Sequence, residues 1–147
     1  RMIAPSSTMK SQIAGCREQE QYYTLKVGDR NIAYKDGTKE LDSAPYIENG
    51  TTFIPLRGLL ELMGASVEWN EADRSVSIKK KNKEIYLQIR NKNVYVTSVK
   101  SGKERYTLAS PPRITDGRTY IPLRFVSEML GYSVEWNALR NEVYIKN

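Results

Sequence analysis

Apolar residues along the chain change spacing in a fixed order, and the order occurs twice. Leu25-Lys26-Val27 and Asn31 to Tyr34 alternate apolar and polar positions, as do Tyr86 to Ile89 and Val94 to Val96. These β-rich stretches predict paired strands. Asp36-Gly37 and Ser101-Gly102 supply turn residues after them. An extended entry follows at Pro45 and Pro112, then a turn at Asn49-Gly50 and Asp116-Gly117. A short segment then runs from Thr52 to Leu56, or Thr119 to Leu123, with Pro55 or Pro122 inside it. Proline donates no ladder hydrogen bond, so it suits a strand end or a helix entry. From there the spacing turns helical: Leu56, Leu59 and Met63 in one place, Leu123, Val126 and Leu130 in the other. Gly64 and Gly131 mark left-handed caps. Ser-Val-Glu-Trp then alternates, and Val76 with Ile78, or Val143 with Ile145, forms a return strand.

The two passes are copies of one another. Residues 47–80 and 114–147 align without a gap at an offset of 67, and 17 of the 34 positions are identical. A weaker echo relates 23–34 to 85–96. The predicted fold is therefore α+β: a duplicated β-β-α-β-β unit, with small antiparallel sheets each packed on a short helix. A unit of about 60 residues buries a marginal core by itself. The halves, approximately 21–80 and 81–147, are thus expected to pack together as one duplicated domain over 21–147. Residues 1–20 lack hydrophobic periodicity and read as a flexible N-terminal lead. Within it Ile13-Ala14-Gly15-Cys16 has the form of a bacterial lipobox, without the apolar stretch such a box needs upstream.

Composition narrows the chemistry. The single cysteine, Cys16, gives no intrachain disulfide and no thiolate-rich zinc site. Histidine is absent, which removes the commonest general base and metal ligand. No phosphate-binding glycine loop occurs, and no apolar run reaches the roughly 20 residues of a membrane span. The sequence is read as carrying no intact signal peptide.

Of the net charge of +6, nearly all comes from the second half, where 81–147 carries twelve basic and six acidic residues. Arg90, Lys92, Lys100, Lys103 and Arg105, interleaved with Tyr95 and Tyr106, form a possible contact surface for glycan or polyanion. Arg57 and Glu61 recur as Arg124 and Glu128, and are read as structural pairs tying helix to sheet, since a catalytic set is rarely kept in two equivalent copies. Trp69 and Trp136 share a strand face with Val67 and Val134 and are read as core residues. Leu60 and Phe125 break the repeat at Ser127 and Gly58, which makes them candidate partner contacts.

The string G-x-T-[FY]-I-P-L-R, followed by E-x-[LM]-G and S-V-E-W-N, resembles the copper amine oxidase N-terminal-like domain over about 25–147, in two tandem copies. The resemblance implies an exported stalk or accessory module of surface and secreted proteins in Gram-positive bacteria. It carries over neither copper nor amine oxidation, which need histidines and a separate catalytic domain. The expected function is a non-catalytic extracellular module that spaces, anchors or assembles proteins at the cell envelope. Two other readings stand beside it: a binding module for cell-wall glycan or an anionic polymer, and a protein-partner or inhibitor domain. No enzyme activity, cofactor, metal, nucleic acid or transmembrane segment is expected.

Overall fold

The computed structural model describes residues 22–147, so the N-terminal lead and its lipobox-like stretch lie outside the described residues. The first half contains β1 (Tyr22–Lys26), β2 (Asn31–Tyr34), β3 (Gly37–Glu40), β4 (Tyr46–Glu48), β5 (Thr51–Pro55), α1 (Gly58–Leu62), β6 (Ser66–Asn70) and β7 (Ser75–Lys80). The second contains β8 (Lys83–Gln88), β9 (Asn93–Ser98), β10 (Gly102–Thr107), β11 (Arg113–Thr115), β12 (Arg118–Pro122), α2 (Leu123–Met129), β13 (Ser133–Asn137) and β14 (Glu142–Lys146).

Antiparallel sheets dominate, with the two short helices between them, so the class is α+β. The β-β-α-β-β series expected of each half is not the series observed: five strands precede each helix and two follow it. The unforeseen strands include β3 and β10, whose sequences Gly-Thr-Lys-Glu and Gly-Lys-Glu-Arg-Tyr-Thr are polar and almost wholly exposed. They lie at sheet edges, where side chains meet water and no apolar alternation is required.

Local chemistry explains the elements. Asn49 and Gly50 have φ of 52° and 78°, and Asp116 and Gly117 have 52° and 77°, the two successive positive values of a type I′ hairpin turn. These turns fold β4 on β5 and β11 on β12. Pro55 and Pro122 end their strands, and the helices follow almost at once. At the helix ends the N–H of Ala65 bonds Leu60 O and that of Tyr132 bonds Ser127 O, both at 3.0 Å, across Gly64 and Gly131 with φ of 83° and 96°. This is the six-to-one closure that a left-handed glycine permits.

Sheet order shows how the halves combine. One five-stranded sheet runs β13-β14-β1-β2-β3 and another runs β10-β9-β8-β7-β6. Each sheet joins the strands that open one half to those that close the other. The remaining sheet, β11-β12-β5-β4, pairs β5 with β12 so that Ile54 faces Ile121, Phe53 faces Pro122 and Pro55 faces Tyr120. Ile54 and Ile121, which are 67 apart, are thus opposite one another, which places an approximate two-fold axis between them. This sheet curls strongly, because Arg113 on one edge strand reaches Glu48 on the other at 2.8 Å. Arg113 also lies over the Phe53 ring at 4.4 Å.

The buried side chains make one continuous cluster drawn from both halves. Leu25, Ile32, Ile54, Leu59, Leu60, Ile78, Ile85, Leu87, Ile121 and Leu123 are all at most 1% exposed. At its margin Tyr23 donates its hydroxyl to Leu62 O at 3.1 Å, and Lys80 donates to the Tyr132 hydroxyl at 3.0 Å. Burial, the largest cause in both cases, raises the Tyr23 and Tyr132 hydroxyls above the ordinary phenol pKa. Burial lowers that of Lys80.

A raised folded-state pKa favours the protonated fold, so the two tyrosines contribute stability that is complete below about pH 10 and is lost as pH rises above it. Lys80 works the other way, since its ammonium is disfavoured in the fold and its deprotonation relieves that cost. With two tyrosines against one lysine, the melting temperature is expected to fall above about pH 10. Tyr23→Phe should lower stability at neutral pH by about 1 kcal/mol and flatten the alkaline decline. Thermal melts at closely spaced pH values test this, and an equally steep decline in the variant would remove Tyr23 as a cause.

Candidate functional site: a groove present through asymmetry

The repeated residues come first, because they define what the differences change. At the N-terminus of α1, Arg57 Nη1 lies 3.9 Å from Glu61 Oε2 and 3.5 Å from Val67 O. In α2, Arg124 Nη1 lies 3.3 Å from Glu128 Oε2 and 3.1 Å from Val134 O. Each arginine therefore links a helix to the neighbouring strand. Both pairs are about half exposed, so they fix geometry more than they stabilise.

Three differences cluster near α2. Gly58 of the first half is replaced by Phe125 in the second. A Cβ at Gly58 would collide with Leu41 Cδ2, so Leu41 closes over the helix there and would have to move for any larger residue. Phe125 is half-buried instead and meets Tyr106 edge-on, with ring centroids 5.6 Å apart. The second difference lies beyond the strand. Trp69 Nε1 donates to Glu71 Oε1 at 2.8 Å, but the position matching Glu71 is Ala138. Trp136 is left 40% exposed, with no acceptor for its indole N–H among the described residues. Third, Ala72 is matched by Leu139, which is 99% exposed at the tip of the β13–β14 turn.

Two of these positions, Phe125 and Trp136, line a groove of about 570 Å³. Ile47, Thr51 and Thr52 of the β4–β5 hairpin form one wall, and Leu108 and Ser110 form another. Arg124, Phe125 and Glu128 of α2, with Val134 and Trp136 of β13, complete it. Ile47 is 41% exposed. The groove is of mixed character, apolar at Ile47, Leu108, Phe125, Val134 and Trp136 and polar at Thr51, Thr52 and Ser110, with an unpaired indole donor and a neutral Arg124–Glu128 pair at its side. Such a surface suits a ligand with apolar groups and a few acceptors, such as polypeptide.

The expected sites are distributed differently from the sequence reading. Trp136 departs from the expected core position: both tryptophans lie on edge strands, but Ala138 stands where Glu71 accepts from Trp69. Trp69 is half-buried against the core. Leu60 is 0% exposed beneath α1, which removes it as a partner contact. Phe125 lines the groove.

The seven glycan or polyanion candidates do not form one cluster. Tyr95, Lys103 and Arg105 share the outer face of their sheet, where Arg105 opposes Tyr95 and the Lys103 ammonium lies 4.9 Å from the Tyr95 ring centre. Tyr106 points the opposite way, toward Phe125, and donates to Glu104. Arg90 and Lys92 lie in the turn after β8, and Lys100 lies in the turn at the other end of β9. Among the described residues, no group of three or more His, Cys, Asp or Glu residues could hold a metal ion. With no histidine in the sequence, the donor set does not fit copper. No helix among the described residues is long and apolar enough to cross a membrane.

Sequence comparison adds to this geometry. The copper amine oxidase N-terminal domain family matches residues 33–145. The chain belongs to that family. It is also 29% identical over 101 residues to a protein of Brevibacillus choshinensis named "Protease inhibitor". That match covers 63% of the chain but only 27% of the relative. No solved structure matches the chain. A non-catalytic accessory domain agrees with both the family and the relative.

Proposed function

We propose that the chain is a non-catalytic accessory module of an extracellular protein, and that it acts by holding a partner polypeptide in the groove beside α2. The supporting observation is Trp136, a large aromatic left exposed and without a hydrogen-bond acceptor where its counterpart Trp69 has one. The relative's name supports a protein as the partner class, and a peptidase is one such protein.

Strand register argues against a spacer. Tyr22 opposes Lys146 and Tyr23 opposes Ile145, so the chain enters and leaves the fold at neighbouring points. A spacer needs ends that are far apart. A module whose ends are adjacent hangs to one side of its connection and presents a surface, which suits anchoring or assembly by binding. Placement at the Gram-positive cell envelope and the tandem origin of the two halves belong to the same proposal.

The test is selection of peptides from a displayed library against the purified chain, followed by affinity measurement on variants. Phe125→Gly with Trp136→Ala is expected to weaken selected peptides by about 30- to 1000-fold, the range for removing two aromatic anchors. Circular dichroism should be unchanged, because neither residue is fully buried. Peptides that bind the double variant as tightly as the parent would place the binding surface elsewhere.

A further inference from the structure

A second surface, independent of the groove, is carried by charge. β10 is the free edge of its sheet, and its outward residues include Lys103 and Arg105, two apart and about 7 Å from each other. Lys100 lies in the turn before β10, and Lys92 lies beside its far end, where the N–H of Leu108 bonds Lys92 O at 2.7 Å. Lys100, Lys103 and Arg105 thus follow one strand edge over about 15 Å, while Lys92, in phase with the buried Val94 and Val96, belongs to the other face. None is in an ion pair among the described residues.

The acidic groups of that face are occupied or remote. Glu68 pairs with Lys79 at 3.6 Å, and Asp73 accepts from Ser75 and Tyr86, each at 2.6 Å. Glu84 opposes Thr97, which itself opposes Lys103, so Glu84 lies two strands away, about 10 Å. Glu104 is turned to the other face, where it accepts from Tyr106.

Charges on an edge strand also deter pairing with other strands, and a single pair of lysines would serve that end. The continuation of the line into the flanking turn at Lys100, with no carboxylate to neutralise it, goes further. We infer that the β10 edge binds a linear polyphosphate, laid along Lys100, Lys103 and Arg105. Arginine favours phosphate, whose oxygens its planar fork can engage in pairs. Nucleic acid is disfavoured because the aromatic pair on this face is short: Lys103 lies over the Tyr95 ring, and Tyr86 beside it is one strand further in and tied by its hydroxyl to Asp73, which leaves no run of rings along the edge for base stacking.

The test uses the purified chain and long-chain inorganic polyphosphate as probe, with single-stranded RNA and polyglutamate of matched length as comparison arms. Binding to polyphosphate is expected to weaken at least about tenfold between roughly 50 and 200 mM salt, as release of several counterions requires. Lys103→Gln with Arg105→Gln should cost at least about tenfold at the lower salt. Lys26→Gln with Lys35→Gln, which removes the same charge from the other five-stranded sheet, should cost less than about twofold. Equal losses in the two double variants would show a response to net charge and overturn the site, as would tighter binding to RNA or polyglutamate. No binding at the lower salt would also overturn it. The groove variant, Phe125→Gly with Trp136→Ala, should leave this affinity unchanged, so either proposal can fail without the other.

Discussion

Deleting residues 142–147 is expected to unfold the entire domain rather than fray its last strand. β14 lies between β13 and β1, so its removal breaks two ladders at once and leaves β13 without a partner. It also withdraws Val143 and Ile145, which are 3% and 0% exposed and belong to the continuous core. Two buried side chains of this size contribute about 1.5–3 kcal/mol each, before the lost hydrogen bonds and the newly opened sheet are counted. A small domain has only about 5–15 kcal/mol to lose. Far-UV circular dichroism and urea denaturation test the result, and a cooperative transition retained in the truncated chain would refute it. A positive control follows from the approximate two-fold. β7 and β8 are joined by the turn at Lys81-Asn82, while β14 meets β1 with no covalent link. A circular permutant that opens the chain at Lys81-Asn82 and joins Asn147 to Tyr22 by a short linker should therefore fold.

The second large effect is expected at the centre. Ile121→Ala should cost about 2–5 kcal/mol, as should Ile54→Ala, because each is a nearly inaccessible side chain in a packed core. The two face each other across β5 and β12, so the double variant should depart from the sum of the single ones by about 0.5 kcal/mol or more. Ile47→Ala on the same sheet offers the contrast: its side chain is 41% exposed, and the loss should stay below about 1 kcal/mol. Urea midpoints of the four variants and the parent decide it. Equal costs at Ile47 and Ile121 would mean that the central sheet is not the packed centre described here.

Elements with a strong local signal are legible in the residues themselves. The capping glycines Gly64 and Gly131 adopt positive φ, and the Asn49-Gly50 and Asp116-Gly117 turns fold hairpins, because those requirements act within a few residues. The helices at Leu59 and Val126 follow from spacing alone. The partner contact expected at Leu60 fails for the opposite reason. Its burial depends on what covers α1, and nothing in its neighbours along the chain reports that. Trp136 shows the same gap from the other side: Ser-Val-Glu-Trp reads identically in both copies, and only the substitution of Glu71 by Ala138 two residues later separates a bonded indole from an unpaired one.

The sequence by itself determined the repeated elements, their turns and caps, the absence of histidine chemistry and the excess of positive charge in the second half. These depend on residue identity and short-range spacing. Only the tertiary structure decided that β14 closes on β1, that Ile54 meets Ile121 and that Lys103 lies over Tyr95 while Tyr106 turns away. It alone decided that Phe125 and Trp136, eleven residues apart, line one groove. Those facts rest on pairings between distant segments. In a near-symmetric repeat, local pattern cannot say which copy of a strand each segment will choose.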